Sequence, residues 1–310
     1  MTLKNAAADL PHGGGKSVLY GDPRMPRDRK ERLIRAFAHA LRNETDYIFG
    51  PDMGTDEACM AWVKDEIGRA VGLPTAFGGI PLDEIGATGW GVLHAVEAAA
   101  SHCRFDLKGA RVVIQGFGAV GRHSARCLVE RGAVLVAASD SQGTIYDPGG
   151  IHVAELIALK AAGGAVGDYA RGGMKLDRDA VLDVECDIWI PAARPDVVRE
   201  DNADRLKTRL VVQGANIPFT PGAEKMLHDR GVLVVPDFIA NAGGVICAAM
   251  EYHGATQSAA FAAIEERTRA NTTAVLEAMK AANVTPRRAA LDLAIARVRE
   301  AMSYRRFSIF

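Results

Sequence analysis

The sequence predicts an α/β fold built on a doubly wound parallel sheet. Over residues 107–241, short apolar segments with the length of strands alternate with longer segments of helical pattern. Such alternation is typical of a parallel sheet that is covered by helices on both faces. After Gly244 the chain is almost wholly helical in pattern, at 246–281 and again at 287–305. We therefore expect the sheet to be followed by a helical C-terminal part.

The individual elements follow from the same periodicity. No internal repeat or low-complexity linker interrupts their order, so we expect the terminal helices to pack back on the first part of the chain. Residues 87–103 have the pattern of a helix that links the first part to the sheet. Further helices are expected at 30–42 and 56–71, and strands at 112–115, 134–138, 188–190, 210–213 and 232–235.

The turn after the first predicted strand carries the most specific signal. Residues 111–122 read RVVIQGFGAVGR, in which a strand leads into a Gly-x-Gly-x-x-Gly turn. Gly116 would make the tight turn, Gly118 would let backbone amides approach a pyrophosphate, and Gly121 would let the next helix lie close to the strand. The phosphate would lie at a helix N-terminus, where free amides and the helix dipole favour an anion. These residues predict a Rossmann-type dinucleotide site formed by Gly116, Phe117, Gly118, Ala119, Val120 and Gly121.

An acidic residue follows the second predicted strand. Asp140 is placed to accept hydrogen bonds from the adenosine ribose hydroxyls. Its charge would repel a 2′-phosphate and no arginine follows at once, so we expect NAD as the cofactor. NADP would be accepted if the loop turned Asp140 away. The alternative is that Asp140 is only a turn residue before Gly143.

Composition excludes several classes of protein. A formal net charge of -1 without a basic tract is not the electrostatic footprint of a nucleic-acid-binding protein. No apolar run reaches transmembrane length, and the N-terminus lacks the basic-then-apolar order of a signal peptide. The five cysteines include no CxxC pair, which favours reduced thiols over disulfides or metal ligands. We expect a cytoplasmic protein without nucleic-acid, membrane or metal partners.

A second group of candidate residues precedes the sheet. Three glycines lead into Lys16, and such a run favours close approach of backbone or ligand because it costs backbone entropy. A lysine fixed by this turn can be desolvated, which would bring its pKa toward neutrality and let it act as an acid. Asp52 could relay a proton, or it could be the N-cap of the following helix. Lys4 could hold a substrate carboxylate, although a lysine near a terminus is usually solvated.

Another polar side chain ends a predicted strand. In an open parallel sheet, ligands bind beyond the carboxyl ends of the strands. Asn216, and Ala192 within residues 191–193, are therefore expected to face the nicotinamide half of the cofactor. Taken alone, Asn216 is better explained as a helix cap followed by a turn, because Asn and Pro commonly end strands for local reasons.

Seven segments of the chain, in order, resemble the signatures of the glutamate/leucine/phenylalanine/valine dehydrogenases. The ordered set covers nearly the whole chain and is far more specific than any one motif. The body of the sequence is most similar to the glutamate dehydrogenase branch. The segments are MTLKNAAA at 1–8, LPHGGGK at 10–16, GPDMGT at 50–55, GATGWG at 86–91, GFGAVG at 116–121, GAN at 214–216 and VPDFIANAGG at 235–244.

The resemblance implies an amino-acid dehydrogenase with its active site in a cleft between two domains, usually assembled as a homo-oligomer. By similarity, Lys4 would hold the substrate α-carboxylate, Lys16 would be the catalytic lysine, and Asp52 would transfer protons. Thr88 and Asn216 would contact the cofactor near the nicotinamide. The implied reaction is the NAD(P)-dependent oxidative deamination of an L-amino acid to a 2-oxo acid and ammonia.

Domain organisation follows from length and from the resemblance. A chain of 310 residues exceeds the size at which one core usually keeps growing, so two domains are expected. We expect a substrate domain at 1–95, a Rossmann domain at 96–244, and C-terminal helices at 245–310 that pack on the substrate domain. Members of the resembled family typically carry several dozen residues before the segment with Lys4, including a further substrate lysine. We therefore expect an N-terminally truncated substrate domain and poor assembly.

The identity of the substrate is open at this level. Ala248 falls where glutamate-specific members place a serine for the side-chain carboxylate, and alanine suits a branched or apolar amino acid. Residues 139–149 look more like the glutamate branch. The alternative function is a non-catalytic NAD-binding regulatory subunit or an inactive fragment, against which the presence of Lys4, Lys16 and Asp52 argues. A hydroxy-acid dehydrogenase would need a histidine-carboxylate pair, which the eight histidines do not indicate.

Overall fold

A seven-stranded sheet forms the centre of the computed structural model, which describes residues 1–22 and 24–304. The strands are β1 Arg111–Gln115, β2 Val134–Ser139, β3 Thr144–Tyr146, β4 Met174–Leu176, β5 Ile188–Pro191, β6 Leu210–Val212 and β7 Leu233–Val235. Their order across the sheet is β4-β3-β2-β1-β5-β6-β7. β3 and β4 form an antiparallel extension beyond β2, and the other strand pairs are parallel. The predicted doubly wound α/β fold is confirmed.

The helices follow the predicted order, with two differences described below. The predicted linking helix is α4, which packs against α5 beside the sheet and against α9 and α10. In the described part of the chain, no helix has both the length and the apolar character needed to cross a bilayer. The helices are α1 Thr2–Ala7, α2 Arg27–Ala40, α3 Glu57–Ile67, α4 Ala87–Cys103, α5 Ala119–Glu130, α6 Val153–Ala161, α7 Pro221–Asp229, α8 Asp237–Ala240, α9 Gly243–Tyr252, α10 Gln257–Ala282 and α11 Pro286–Ser303.

Each of the five predicted strands is present, and each differs from its prediction by one residue at one end. Strands β3 and β4 were not expected from the sequence. Both are three residues long, which is too short for an alternating pattern to be recognised. β3 pairs with β2 and β4 pairs with β3, so tertiary contacts define both strands.

The prediction of one continuous helix over 246–281 is wrong. The chain leaves α9 at Tyr252, and Gly254 then adopts the left-handed conformation with a φ of 75°. Thr256 starts α10 by accepting a 3.3 Å hydrogen bond from the backbone N–H of Ala259. The helix expected at 56–71 also stops early, because Gly68 is left-handed and caps α3. Residue 305 of the helix expected at 287–305 lies outside the described residues.

Both faces of the sheet are buried, as the alternation along β1 shows. Val112 and Ile114 point into the apolar cluster beneath α4 and α5, whereas Val113 points into the opposite cluster. There Val113 joins the fully buried Trp189, whose indole N–H donates a 3.2 Å hydrogen bond to the carbonyl of Val181. The two clusters fix the sheet, and they thereby fix the carboxyl ends of the strands, where the candidate site lies.

The first helix, α1, packs against α11, the last helix of the described residues. The guanidinium of Arg297 on α11 donates to the carbonyls of Ala6 (3.1 Å) and Ala7 (2.9 Å), at the C-terminal end of α1. Carbonyls in the last turn of a helix have no partner within the helix, so this contact satisfies them. The short helix that carries Lys4 is thus held by the C-terminal helices.

Candidate functional site

The turn after β1 has the geometry of a dinucleotide site. Gly116 has a φ of 95°, and a Cβ added to it would overlap the side chain of Ala193. A Cβ on Gly121 would overlap the carbonyl oxygen of Gly116, so α5 can lie this close to the strand only because Gly121 has no side chain. At the exposed Gly118, a Cβ would meet nothing within 4 Å. Open space beside backbone at the start of α5 fits a pyrophosphate.

Asp140 lies at the end of β2, but its carboxylate is turned into the protein. Oδ2 accepts hydrogen bonds from Lys160 Nζ (2.7 Å) and from the backbone N–H of Val166 (2.9 Å). Oδ1 accepts from the backbone N–H of Gln142 (2.9 Å). Burial acts to raise the pKa of Asp140, but the Lys160 ammonium and the backbone donors outweigh it and hold the pKa below its usual value. A ribose hydroxyl would have to share this carboxylate with three donors, so ribose binding by Asp140 stays a prediction.

Lys16 and Asp52 come together in space although 36 residues separate them in sequence. Their side chains form an ion pair and are 49% and 53% exposed. Burial acts to raise the pKa of Asp52, but the hydrogen bond from Lys16 outweighs it, so the pKa lies below its usual value. The expected desolvation of Lys16 is not found, because the preceding glycines lie at the surface.

The N-cap alternative for Asp52 is wrong. The cap of α3 is Asp56, whose Oδ1 accepts a 2.9 Å hydrogen bond from the backbone N–H of Cys59. The backbone N–H of Asp52 donates to Thr55 Oγ1 (2.8 Å), so the loop that carries Asp52 is fixed by its own short turn. The carboxylate is left to pair with Lys16.

Lys4, and not Lys16, is the lysine whose ammonium is desolvated. Burial lowers the pKa of Lys4 to about 8, against an upward contribution from the charge of Asp237. The charge of Lys16 lowers this pKa further and that of Asp52 raises it. The side chains of Thr2 and Asn5 donate to the carbonyls of Gly14 and Gly13, so the helix that carries Lys4 lies against the turn that leads to Lys16. The same helix packs against α8, which begins at Asp237. Sequence reasoning missed Asp237, although it lies within the segment 235–244 that resembles a family signature.

Asn216 lies in the turn between β6 and α7. Its Oδ1 accepts a 2.9 Å hydrogen bond from Nδ2 of Asn241. The N-cap of α7 is Thr220, whose hydroxyl accepts from the backbone N–H of Ala223 (3.3 Å), so the helix-cap explanation of Asn216 is wrong. Asn216 is exposed, which leaves its own amide group accessible to a ligand.

Ala192 connects the ends of two neighbouring strands. Its backbone N–H donates a 2.7 Å hydrogen bond to the carbonyl of Gln115, the last residue of β1. Ala192 therefore lies beside the glycine turn, as predicted for a residue at the carboxyl edge of the sheet. Its contact with the cofactor stays a prediction.

Thr88 and Ala248 lie along the contact between α4 and α9. A Cβ added to Gly244 would lie 3.1 Å from Thr88 Oγ1, so Thr88 faces the first turn of α9. Ala248 is one turn further along the same face of α9, since residues four apart in a helix are neighbours. It packs against an apolar cluster that includes Leu10 and Leu82. The surroundings of Ala248 therefore include apolar side chains.

All five cysteines lie within the described residues and none of them pairs with another. Burial raises the pKa of the Cys186 and Cys247 thiols to about 12. Such thiols remain protonated and unreactive at neutral pH.

Comparison with known proteins places these features in one family. Residues 1–69 match the family model described as "Glu/Leu/Phe/Val dehydrogenase, dimerisation domain", and residues 78–306 match the one described as "Glutamate/Leucine/Phenylalanine/Valine dehydrogenase". Glutamate dehydrogenase of Aeropyrum pernix is 37% identical over 98% of this chain and 78% of its own length. NADP(+)-dependent glutamate dehydrogenase of Pyrobaculum calidifontis is 40% identical over 81% of this chain, and the match spans 64% of its own length, less than two thirds.

A solved structure gives the same result. The hetero-hexameric glutamate dehydrogenase of Thermus thermophilus, in a leucine-bound form, superposes with a TM-score of 0.89 at 32% identity. The superposition covers 100% of this chain and 77% of that one. On these matches and on the geometry above, the chain belongs to the glutamate/leucine/phenylalanine/valine dehydrogenase family of amino-acid dehydrogenases, close to glutamate dehydrogenase.

Proposed function

We propose that this chain catalyses the NAD(P)-dependent oxidative deamination of an L-amino acid to a 2-oxo acid and ammonia. The observation that carries the proposal is the Lys16–Asp52 ion pair, which follows the glycine turn that the helix of Lys4 contacts through Thr2 and Asn5. Bound NAD(P) would supply the acceptor for the hydride that leaves the substrate Cα.

Lys4 would hold the substrate α-carboxylate. An ammonium taken out of water costs free energy unless it is paired, and the lowered pKa of Lys4 expresses that cost. An arriving carboxylate would offset it and would favour the charged form of Lys4. The partly buried position of Lys4 on a braced helix suits a residue that orients one end of a small substrate.

Lys16 and Asp52 would carry the proton transfers on the substrate. Loss of hydride from Cα leaves an iminium carbon, which a water molecule held by Lys16 would attack. Asp52 would take one proton from this water and pass it to the nitrogen. The C–N bond would then break to release ammonia, while the remaining hydroxyl loses its proton and becomes the carbonyl of the 2-oxo acid. The depressed pKa of Asp52 keeps its carboxylate ionised, and therefore able to act as a base, at neutral pH.

For the substrate, we infer that apolar or branched amino acids are turned over at least as well as glutamate. A glutamate side-chain carboxylate in the cleft would need a charged or hydrogen-bonding partner, and Ala248 supplies none. The apolar cluster against which Ala248 packs favours a hydrocarbon side chain.

For the cofactor, the Lys160–Asp140 pair supports use of both NAD and NADP. The expected preference for NAD depends on an uncompensated negative charge at Asp140. Lys160 pairs with that charge at 2.7 Å, which weakens the repulsion toward a 2′-phosphate. We further propose that residues 1–69, which match a dimerisation domain, take part in self-assembly.

The proposal is tested by assaying reduction of NAD and NADP with glutamate, leucine, valine and phenylalanine, together with Ala248→Ser. Turnover is expected with at least one amino acid, and Ala248→Ser should shift the ratio of kcat/KM toward glutamate. Binding of NADH without turnover of any amino acid would instead identify a non-catalytic subunit. A strong glutamate preference in the unsubstituted chain would contradict the role given to Ala248.

A further inference from the structure

We propose that Arg287, on α11, is a positioning residue that holds the carboxylate of Asp237 between Lys4 and the Asn216 turn. In this way one arginine on a C-terminal helix would set the geometry of both the substrate side and the cofactor side of the site. The terms substrate side and cofactor side are taken from the proposed function, and the inference rests on that function to this extent.

Arg287 is the centre of a hydrogen-bonded cluster. Its Nη2 donates to Asp237 Oδ1 (2.9 Å) and to Gln213 Oε1 (2.9 Å). Nε and Nη2 also donate to the two oxygens of Glu224, at 2.6 and 2.7 Å. Gln213 in turn accepts from the backbone N–H of Asp237 and donates to Glu224. The cluster joins α11 to the end of β6, to α7 and to the start of α8.

The cluster is buried, so its charges depend on one another. The side chains of Asp237 and Glu224 are each 9% exposed, and that of Arg287 is 26% exposed. Two buried carboxylates share one guanidinium. Removing the guanidinium would remove the charge that both carboxylates share, so the position of Asp237 would be less well defined.

The second oxygen of Asp237 holds a strained turn next to Asn216. Ile217 has a φ of 49°, in the left-handed region, although it is β-branched and precedes Pro218. Both features disfavour that conformation, so the surrounding structure has to impose it. Asp237 Oδ2 accepts a 2.9 Å hydrogen bond from the Ile217 N–H. The orientation of the exposed Asn216 therefore depends on where Asp237 lies.

Lys4 depends on the same carboxylate. Helix α1 packs against α8, which begins at Asp237, and the negative charge of Asp237 acts against the desolvation of the Lys4 ammonium. The other charged groups that act on Lys4 are Lys16 and Asp52. Loss of the Asp237 charge would remove the largest of the contributions that favour protonated Lys4.

The test compares Arg287→Met and Arg287→Lys with Arg288→Met as the matched control. Arg288 is the neighbouring residue on α11, and among the described residues its side chain pairs only with the exposed Asp292. For Arg287→Met we expect the dissociation constant for NADH to rise by about tenfold, the effect of losing roughly one hydrogen bond to the ligand. Arg287→Lys should give an intermediate value because it restores the charge but not the forked donors.

The second readout is the pH dependence of the KM for a 2-oxo acid. If Asp237 is displaced, the pKa of Lys4 falls further, so the rise in KM at alkaline pH should begin at a lower pH than in Arg288→Met. Should Arg287→Met fail to fold, as judged by circular dichroism, Asp237→Asn is expected to show the same change. The first readout, the dissociation constant for NADH, needs no turnover. It therefore tests the inference even if no amino acid is oxidised.

Two outcomes would overturn the inference. One is a folded Arg287→Met whose affinity for NADH and pH profile match those of Arg288→Met while only its melting temperature falls. The other is an Asp237→Asn variant in which the KM for the 2-oxo acid begins to rise at the same alkaline pH as in the unsubstituted chain. Either result would reduce Arg287 to a residue that stabilises the fold.

Discussion

Lys160 Nζ lies 2.7 Å from Asp140 Oδ2 and pairs with the acidic residue expected to select the cofactor. The pair turns a single negative charge at the end of β2 into a neutral unit. Without the Lys160 ammonium, the negative charge of Asp140 is no longer compensated and would repel the 2′-phosphate of NADP. We expect Lys160→Met to lower kcat/KM for NADP relative to NAD by about tenfold, since 1.4 kcal/mol of lost compensation corresponds to a factor of ten.

Lys175→Met is the control for this prediction. Lys175 forms a more exposed pair with Asp168, at 3.6 Å, within the same part of the fold. The ratio of kcat/KM for NADP to that for NAD is measured by steady-state kinetics in both variants. An equal change in this ratio would show that the effect does not come from the Asp140 pair.

Lys16→Ala is expected to abolish turnover and leave NADH binding intact. The substitution removes the group that would hold water and polarise the imine, whereas the glycine turn that would bind the cofactor lies after β1. Loss of a general acid typically costs on the order of 10²- to 10⁴-fold in rate. Lys225→Ala, which removes an exposed i,i+4 pair with Asp229, serves as control. Retention of more than about half of the turnover would exclude Lys16 from the mechanism.

The affinity for a 2-oxo acid should fall above a pH of about 8. Lys4 has a pKa of about 8 and holds the carboxylate only while it is protonated, so its charge is present below that pH and is lost above it. A 2-oxo acid is the better probe because it has no amine of its own to titrate. KM for the 2-oxo acid should rise with pH while KM for NADH changes little, and parallel rises in both would point to a general effect on the enzyme.

The glycines of the turn should separate stability from cofactor binding. Gly121→Ala places a Cβ against the Gly116 carbonyl and should lower the free energy of unfolding by about 1–3 kcal/mol, as overpacking does. Gly118→Ala meets no protein atom and should change stability by less than about 0.5 kcal/mol. It should nevertheless weaken NADH binding, because its methyl group occupies the space for the pyrophosphate. Equal melting temperatures for the two variants, or full NADH affinity in Gly118→Ala, would contradict this reading of the turn.

Much of the fold was predictable because residues close together in the sequence determine it. The five parallel strands and the helix α4 follow from apolar periodicity. Gly116 and Gly121 have the steric roles that their spacing indicates. The short strands β3 and β4 were missed because three-residue strands show no period. The break at Gly254 was missed because segments of helical pattern lie on both sides of it.

The sequence by itself determined the family, the α/β architecture and the identity of the candidate residues. Only the tertiary structure decided their partners: Lys16 with Asp52, Asp140 with Lys160, and Asp237 with Arg287. It also decided that Lys4, and not Lys16, is the desolvated lysine. Periodicity and turn chemistry act over a few residues and can be read along the chain. Burial and charge pairing depend on segments tens to hundreds of residues apart, and these meet only when the chain folds.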